Sequence, residues 1–168
     1  PWGGSTLTLP TALTLAAEDN TFTMKVWSAR AVPVLFKLEG INKEISMDHA
    51  GTGWENLSYD FADDVTGALD SVTVIFDLGT MGDAEGNAAD WTFYYDEITT
   101  PATAEEEVVG DGSTSTTDFE AAPQSYTFND FDGGAAVVLA NPDATGINTS
   151  AQVGQMTKSA GQTWGGST

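Results

Sequence analysis

The residues best suited to ligand chemistry in this sequence are cations interleaved with an aromatic side chain. Four of the five basic residues, Lys25, Arg30, Lys37 and Lys43, fall within one stretch of hairpin-like strands. Alternate residues of an extended strand share a face, so Lys25 and Trp27 stand side by side. The pattern predicts Lys37 on the adjacent strand. An aromatic platform beside cations and polar groups binds sugar by ring stacking and hydrogen bonding, and the cations suit uronic or sulfated sugars. Lys25, Trp27, Arg30 and Lys37 are therefore the candidate glycan-binding residues. The competing reading pairs the cations across strands with Glu39, Glu44 and Asp60, and uses Trp27 to cover the sheet against a neighbouring module.

Catalysis is not expected. His49, the only histidine, follows "ISMD" at a predicted turn, where a lone imidazole is more often a surface group than a base. Carboxylate pairs are uninformative in so acidic a chain. No nucleophile motif, phosphate-binding loop or zinc spacing occurs. With no Cys, disulfides and thiolate metal sites are excluded. Asn56 in "NLS" and Asn148 in "NTS" fit the N-glycosylation pattern.

The elements that would position these residues are strands. Phe22, Met24 and Val26 alternate with Thr23, Lys25 and Trp27 in "FTMKVWSA". Val34, Phe36 and Leu38 share a face in the next run, and residues 41–48 form another strand. Leu57, Tyr59 and Phe61 are in phase, as are Val72, Val74, Phe76 and Leu78, and 91–98 is aromatic and β-rich. Period-2 patterning with turn clusters between runs predicts an all-β antiparallel sandwich. Residues 99–117, "TTPATAEEEVVGDGSTSTT", read as an acidic linker, with a short helix-favouring stretch. Beyond it, residues 118–168 carry short strands at 125–128, 135–140 and 152–159, too few to form a core alone.

Charge narrows the function classes. The 168 residues carry 25 acidic and 5 basic side chains, a formal charge of −20. That excludes nucleic-acid binding, which needs a basic footprint. It suits a secreted or surface protein, or one that binds cations. No run of 18 apolar residues occurs, so no membrane insertion is expected. Without a leader or an opening Met, the chain is expected to be mature or cut from something larger.

One repeat stands out. Residues 2–6 read "WGGST", and so do residues 164–168, 162 positions later. Self-similarity at a fixed interval marks repeat arrays.

The motifs "DFE" (Asp118–Glu120), "FDGG" (Phe131–Gly134), Ala140–Ser150, Val153–Thr168, Phe22–Gly40 and "YYDEI" (Tyr94–Ile98) together resemble the carbohydrate-binding jelly-roll modules of large secreted Bacteroidetes proteins. The resemblance covers nearly the whole chain outside the linker, in rotated order. A module of that family would run from Asp118 through Thr168, resume at Gly3 and close at Ile98, with "WGGST" as the join. The resemblance implies a jelly-roll fold in which 1–98 is the main part of one module and 118–168 supplies the opening strands of the next module or subunit. Such donation would fill an open sheet edge. In a third arrangement, a circular permutation, the tail folds back on its own body; the duplicated pentapeptide argues against it. The resemblance also implies a structural Ca²⁺ between opening and closing strands, held by Asp118, Glu120 and Asp96, with Asp132 in addition. Read otherwise, these are solvated turn carboxylates. "DSV" at residues 70–72 resembles the Bacteroidetes O-glycosylation motif at Ser71.

Two functions follow as expectations. One is a non-enzymatic structural unit of an extracellular fibre or surface protein, assembling head-to-tail with copies of itself by strand complementation. The other is a module that binds polysaccharide on the Trp27 face.

Overall fold

Alternation of buried and half-buried residues along Asn20–Ser28 sets the architecture: Phe22, Met24 and Val26 face inward, and Thr23, Lys25 and Trp27 outward. A computed structural model describes residues 2–15, 20–61, 65–99, 116–120 and 126–161. Its strands are β1 (Gly4–Leu15), β2 (Asn20–Ser28), β3 (Val32–Leu38), β4 (Lys43–His49), β5 (Gly53–Phe61) and β6 (Gly67–Phe76). After a one-turn helix α1 (Ala88–Trp91) come β7 (Thr92–Thr99), β8 (Thr116–Thr117), β9 (Phe128–Phe131), β10 (Gly134–Ala140) and β11 (Gln152–Lys158).

Two antiparallel sheets pack face to face. One has the order β4-β3-β6-β1-β9, the other β10-β11-β7-β2-β5, with β8 added to the end of β7. The chain is thus an all-β antiparallel sandwich, as the alternation predicts. Phe36 stacks on Tyr59 across the layers at 5.0 Å, and Phe76 on Phe93 at 4.4 Å. Each such buried ring contributes on the order of 1.5–3 kcal/mol. Leu78 does not join this core. Asp77 adopts φ 53° and turns the chain away after Phe76, leaving Leu78 exposed.

The first strand, β1, carries Pro10, which cannot donate to a ladder. Its register against β6 shifts between Thr8 and Leu13, a bulge that absorbs the proline.

The C-terminal segment closes on its own body. β9 pairs with β1 from Gly4 to Leu7, β11 with β7 from Thr92 to Tyr95, and β8 with β7 at Ile98 and Thr99. Phe119, Val153 and Met156 are buried. In this chain, therefore, the sheet edges expected to receive strands from a neighbour are filled by the chain's own β8, β9 and β11. The physical reason is proximity: Thr116 pairs with Thr99, so the tail is tethered beside the edges it covers. β9 begins at Phe128, later than the 125–128 strand expected, whose start lies outside the described residues. The helix-favouring part of the linker and the second "WGGST" also lie outside them.

Candidate functional site

The outer face of the β10–β5 sheet carries a row of aromatics. Trp27 on β2 pairs with Trp54 on β5 and with Tyr94 on β7. All three are half-buried, and the Trp27 and Tyr94 rings meet edge-on at 5.3 Å. The β10–β11 loop reaches over this row. Asp143 Oδ2 accepts from Trp27 Nε1 at 3.2 Å, and the Asp143 carbonyl accepts from Trp54 Nε1 at 2.7 Å. The loop is held by its own Asx contacts: Asp143 N–H donates to Asn141 Oδ1, and Asn141 Nδ2 donates to the Ser150 carbonyl. Trp54, Tyr94 and Asp143 were not anticipated from sequence. Trp54 opens the "WENLSYDF" strand in phase with the outward residues, and that phase was the available signal.

The cations do not gather around Trp27. Lys25 is beside it but pairs with Glu97 at 2.5 Å. Lys37 was expected on the adjacent strand; β3 instead pairs with β4 and β6, so Lys37 lies on the other sheet, paired with Glu39 at 3.1 Å. The short connection from β2 to β3 crosses between sheets, which puts consecutive strands on opposite sides of the sandwich. Arg30 is a latch: its guanidinium pairs with Asp77 at 2.7 Å, lies 4.4 Å from the Trp91 ring centroid, and donates from Nε to the Asp90 carbonyl. Lys37 and Glu39 are two residues apart, so their pair runs along the end of β3 and is not the cross-strand bridge of the competing reading.

A second cluster sits where β7 meets the tail. Asp96 is fully buried, and burial pushes its carboxyl up to about 6 despite the Ser150 and Asn148 side chains and the Glu97 N–H nearby. Asp96 Oδ1 accepts from Glu97 N–H at 2.8 Å, whereas Oδ2 has no hydrogen-bond partner. Glu97 and Phe119 flank it with φ of 45° and 56°, a left-handed conformation uncommon for these residue types. Asp118 Oδ1 accepts from Glu120 N–H, and Glu120 Oε1 from Gln152 N–H at 2.7 Å. Burial first, then the negative charge of Asp118, raise the Tyr126 phenol, with smaller contributions from Asp96 and Glu120.

Asp118 follows Thr117, the ladder partner of Ile98 on β7 two residues from Asp96, and Glu120 accepts from Gln152 N–H at the start of β11, whereas Asp132 is remote from this end. Asp132 lies at the far end of β11, where Gly134 pairs with Lys158, and its carboxylate accepts from the Trp2 N–H. Asp96 instead follows Tyr95, which pairs with Gly154 near the start of β11. Among the described residues no group of three or more His, Cys, Asp or Glu side chains is arranged to hold a metal ion. The feature that fits a hard cation is the buried, unpartnered Asp96 Oδ2 in an acidic surround.

The modification candidates fall in three settings. Asn56 is exposed on β5, opposite Lys25. Ser71 is half-buried on β6, donating to Asp70 Oδ1. Asn148 is fully buried with its Oδ1 accepting from Ser150 N–H, a position a glycan cannot reach. His49, expected at a surface turn, is buried at the end of β4. Its Nδ1 accepts from Gly51 N–H, so Nε2 carries the proton toward the Val26 and Gly53 carbonyls.

No family of known proteins matches this chain, and no curated protein does. No helix among the described residues is long and apolar enough to cross a membrane.

Proposed function

We propose that this chain is a non-enzymatic structural unit that assembles head-to-tail, copy to copy, outside the cell by exchanging residues 116–161. One observation carries this reading. The tail supplies strands to both sheets, and its covalent link to the body runs through residues 100–115 alone. Every noncovalent contact it makes at home can be made identically on a second copy. Such an exchange is heterologous and need not close, so it propagates as a filament.

The experiment alters the hinge. Thr99 and Thr116 are ladder partners, so joining them directly leaves no loop for closure within the chain. That variant is expected to form filaments by electron microscopy, and an Asn-Gly loop between the same residues is expected to give monomers. Monomeric wild-type protein at every concentration, together with a direct-join variant that neither polymerises nor folds, overturns the reading.

A second reading rests on the Trp54–Trp27–Tyr94 row, whose geometry suits a sugar ring once the Asp143 loop moves aside. Loss of polysaccharide retention on Trp54→Ala, with assembly intact, would favour it. In either case we assign Asp96, with Asp118 and Glu120 nearby, as the place for a structural Ca²⁺. The ion would satisfy Asp96 Oδ2 and tie the tail to β7.

A further inference from the structure

We infer that Trp164–Thr168 is an alternative occupant of the strand position that Trp2–Thr6 fills at the head of β1. This deepens the exchange reading, because it says how a tail enters the sandwich it completes.

The position is narrow and chemically specific. Gly4 pairs with Ile75 on β6 and with Phe131 on β9, and a Cβ there would lie 2.7 Å from Ile75 Cγ1, 2.8 Å from Phe131 Cζ and 2.9 Å from the Val74 carbonyl. Gly3, at φ 26°, would place a Cβ 2.7 Å from Lys158 Cε. Ser5 is buried, and Thr6 Oγ1 is 2.6 Å from Thr73 Oγ1. The slot thus demands Gly-Gly followed by small hydroxyl residues. Gly-Gly occurs three times in the sequence: at 3–4, at 133–134, which is already placed on the turn into β10, and at 165–166.

The tail also ends in the right place. A Cβ on Gly161 would lie 2.4 Å from the Asp132 carbonyl oxygen, and one on Gly3 would lie 3.2 Å from the same atom. Their Cα atoms are therefore within about 9 Å, and the four steps from Gly161 to Gly165 span up to roughly 13 Å. That length of chain is enough for a second "WGGST" to be offered to the slot of the very sandwich that its tail has entered.

The test uses monomers, so its failure is separate from failure of assembly. Four monomeric proteins are melted: the full chain, the chain lacking residues 1–6, and each of these with Gly166→Val. Removing residues 1–6 is expected to change the melting temperature by no more than about 2 °C, because Trp164–Thr168 takes the vacated place. Gly166→Val is expected to be silent in the full chain and to lower the melting temperature by on the order of 10 °C in the shortened one. Hydrogen exchange should show the 166–168 amides protected only in the shortened chain. Overturning results are a shortened chain that loses on the order of 10 °C by itself, or Gly166→Val silent in both backgrounds.

Discussion

Trp27 and Trp54, opposite one another on β2 and β5, both donate their indole N–H to Asp143, one to its carboxylate and one to its carbonyl. A single loop residue thus pins a loop across the aromatic row of the sheet. This contact decides what that face can do, because a sugar could stack there only after Asp143 has released both rings.

Asp143→Ala removes the bond to Trp27 and the one from Thr145 Oγ1, while the carbonyl bond to Trp54 survives. The expected cost is about 1–2 kcal/mol in urea denaturation. Tryptophan emission should shift to the red as the loop loosens over Trp27. If this face binds sugar, polysaccharide retention should rise in the same variant.

Asp96 makes stability fall as pH rises through the acid range. Its folded-state value of about 6 lies above the ordinary carboxylate value of 3.8, so the folded chain holds its proton over a window where the unfolded chain does not. Between roughly pH 4 and 6 this residue therefore lowers stability as pH increases. Asp96→Asn should flatten that slope in thermal melts. Ca²⁺ at pH 7 should raise the melting temperature of the wild type and not of the variant.

Lys158 acts in the opposite sense and at the other end of the pH scale. Burial pushes its ammonium down to about 8, although Nζ donates to the Phe76 and Asp77 carbonyls at 2.8 Å each. The folded chain binds fewer protons than the unfolded one between about pH 8 and 10.5, so this residue makes stability increase with pH there. Lys158→Met should abolish that rise. It should also cost about 1–3 kcal/mol by leaving two carbonyls without a donor, read by denaturation at pH 7.

Phe119 anchors the tail, with ring centroids 5.7 Å from Tyr95 and 4.8 Å from Tyr126. Phe119→Ala should cost about 3–5 kcal/mol. It should also expose residues 116–161 to limited proteolysis before the β1–β7 body is cut.

Much of the sandwich was legible because strand alternation is local. Phe22, Met24 and Val26 must share a face whatever they pack against, and so must Leu57, Tyr59 and Phe61. Which strands become neighbours is not local. Lys25 and Lys37 belong to consecutive strands and lie on different sheets, because the connection through Arg30 crosses the sandwich instead of closing a hairpin. The same holds for Asp132: the family resemblance grouped it with Asp96, and the run of β11 separates them. The grouping of Asp96 with Asp118 and Glu120 came only from that resemblance, because no local pattern links residue 96 to residues 118–120. Trp54 and Asp143 required the β10–β11 loop to be seen lying over the face.

By itself the sequence determined the β-sandwich class, the acidic surface and the duplicated "WGGST", because periodicity, charge and repetition are properties of the chain. Only the tertiary structure decided that residues 116–161 close on this body, that Asp96 is buried without a partner for Oδ2, and that Gly161 ends beside Gly3. Those facts depend on long-range pairing, in which each edge takes whichever complementary strand the folded chain brings within reach.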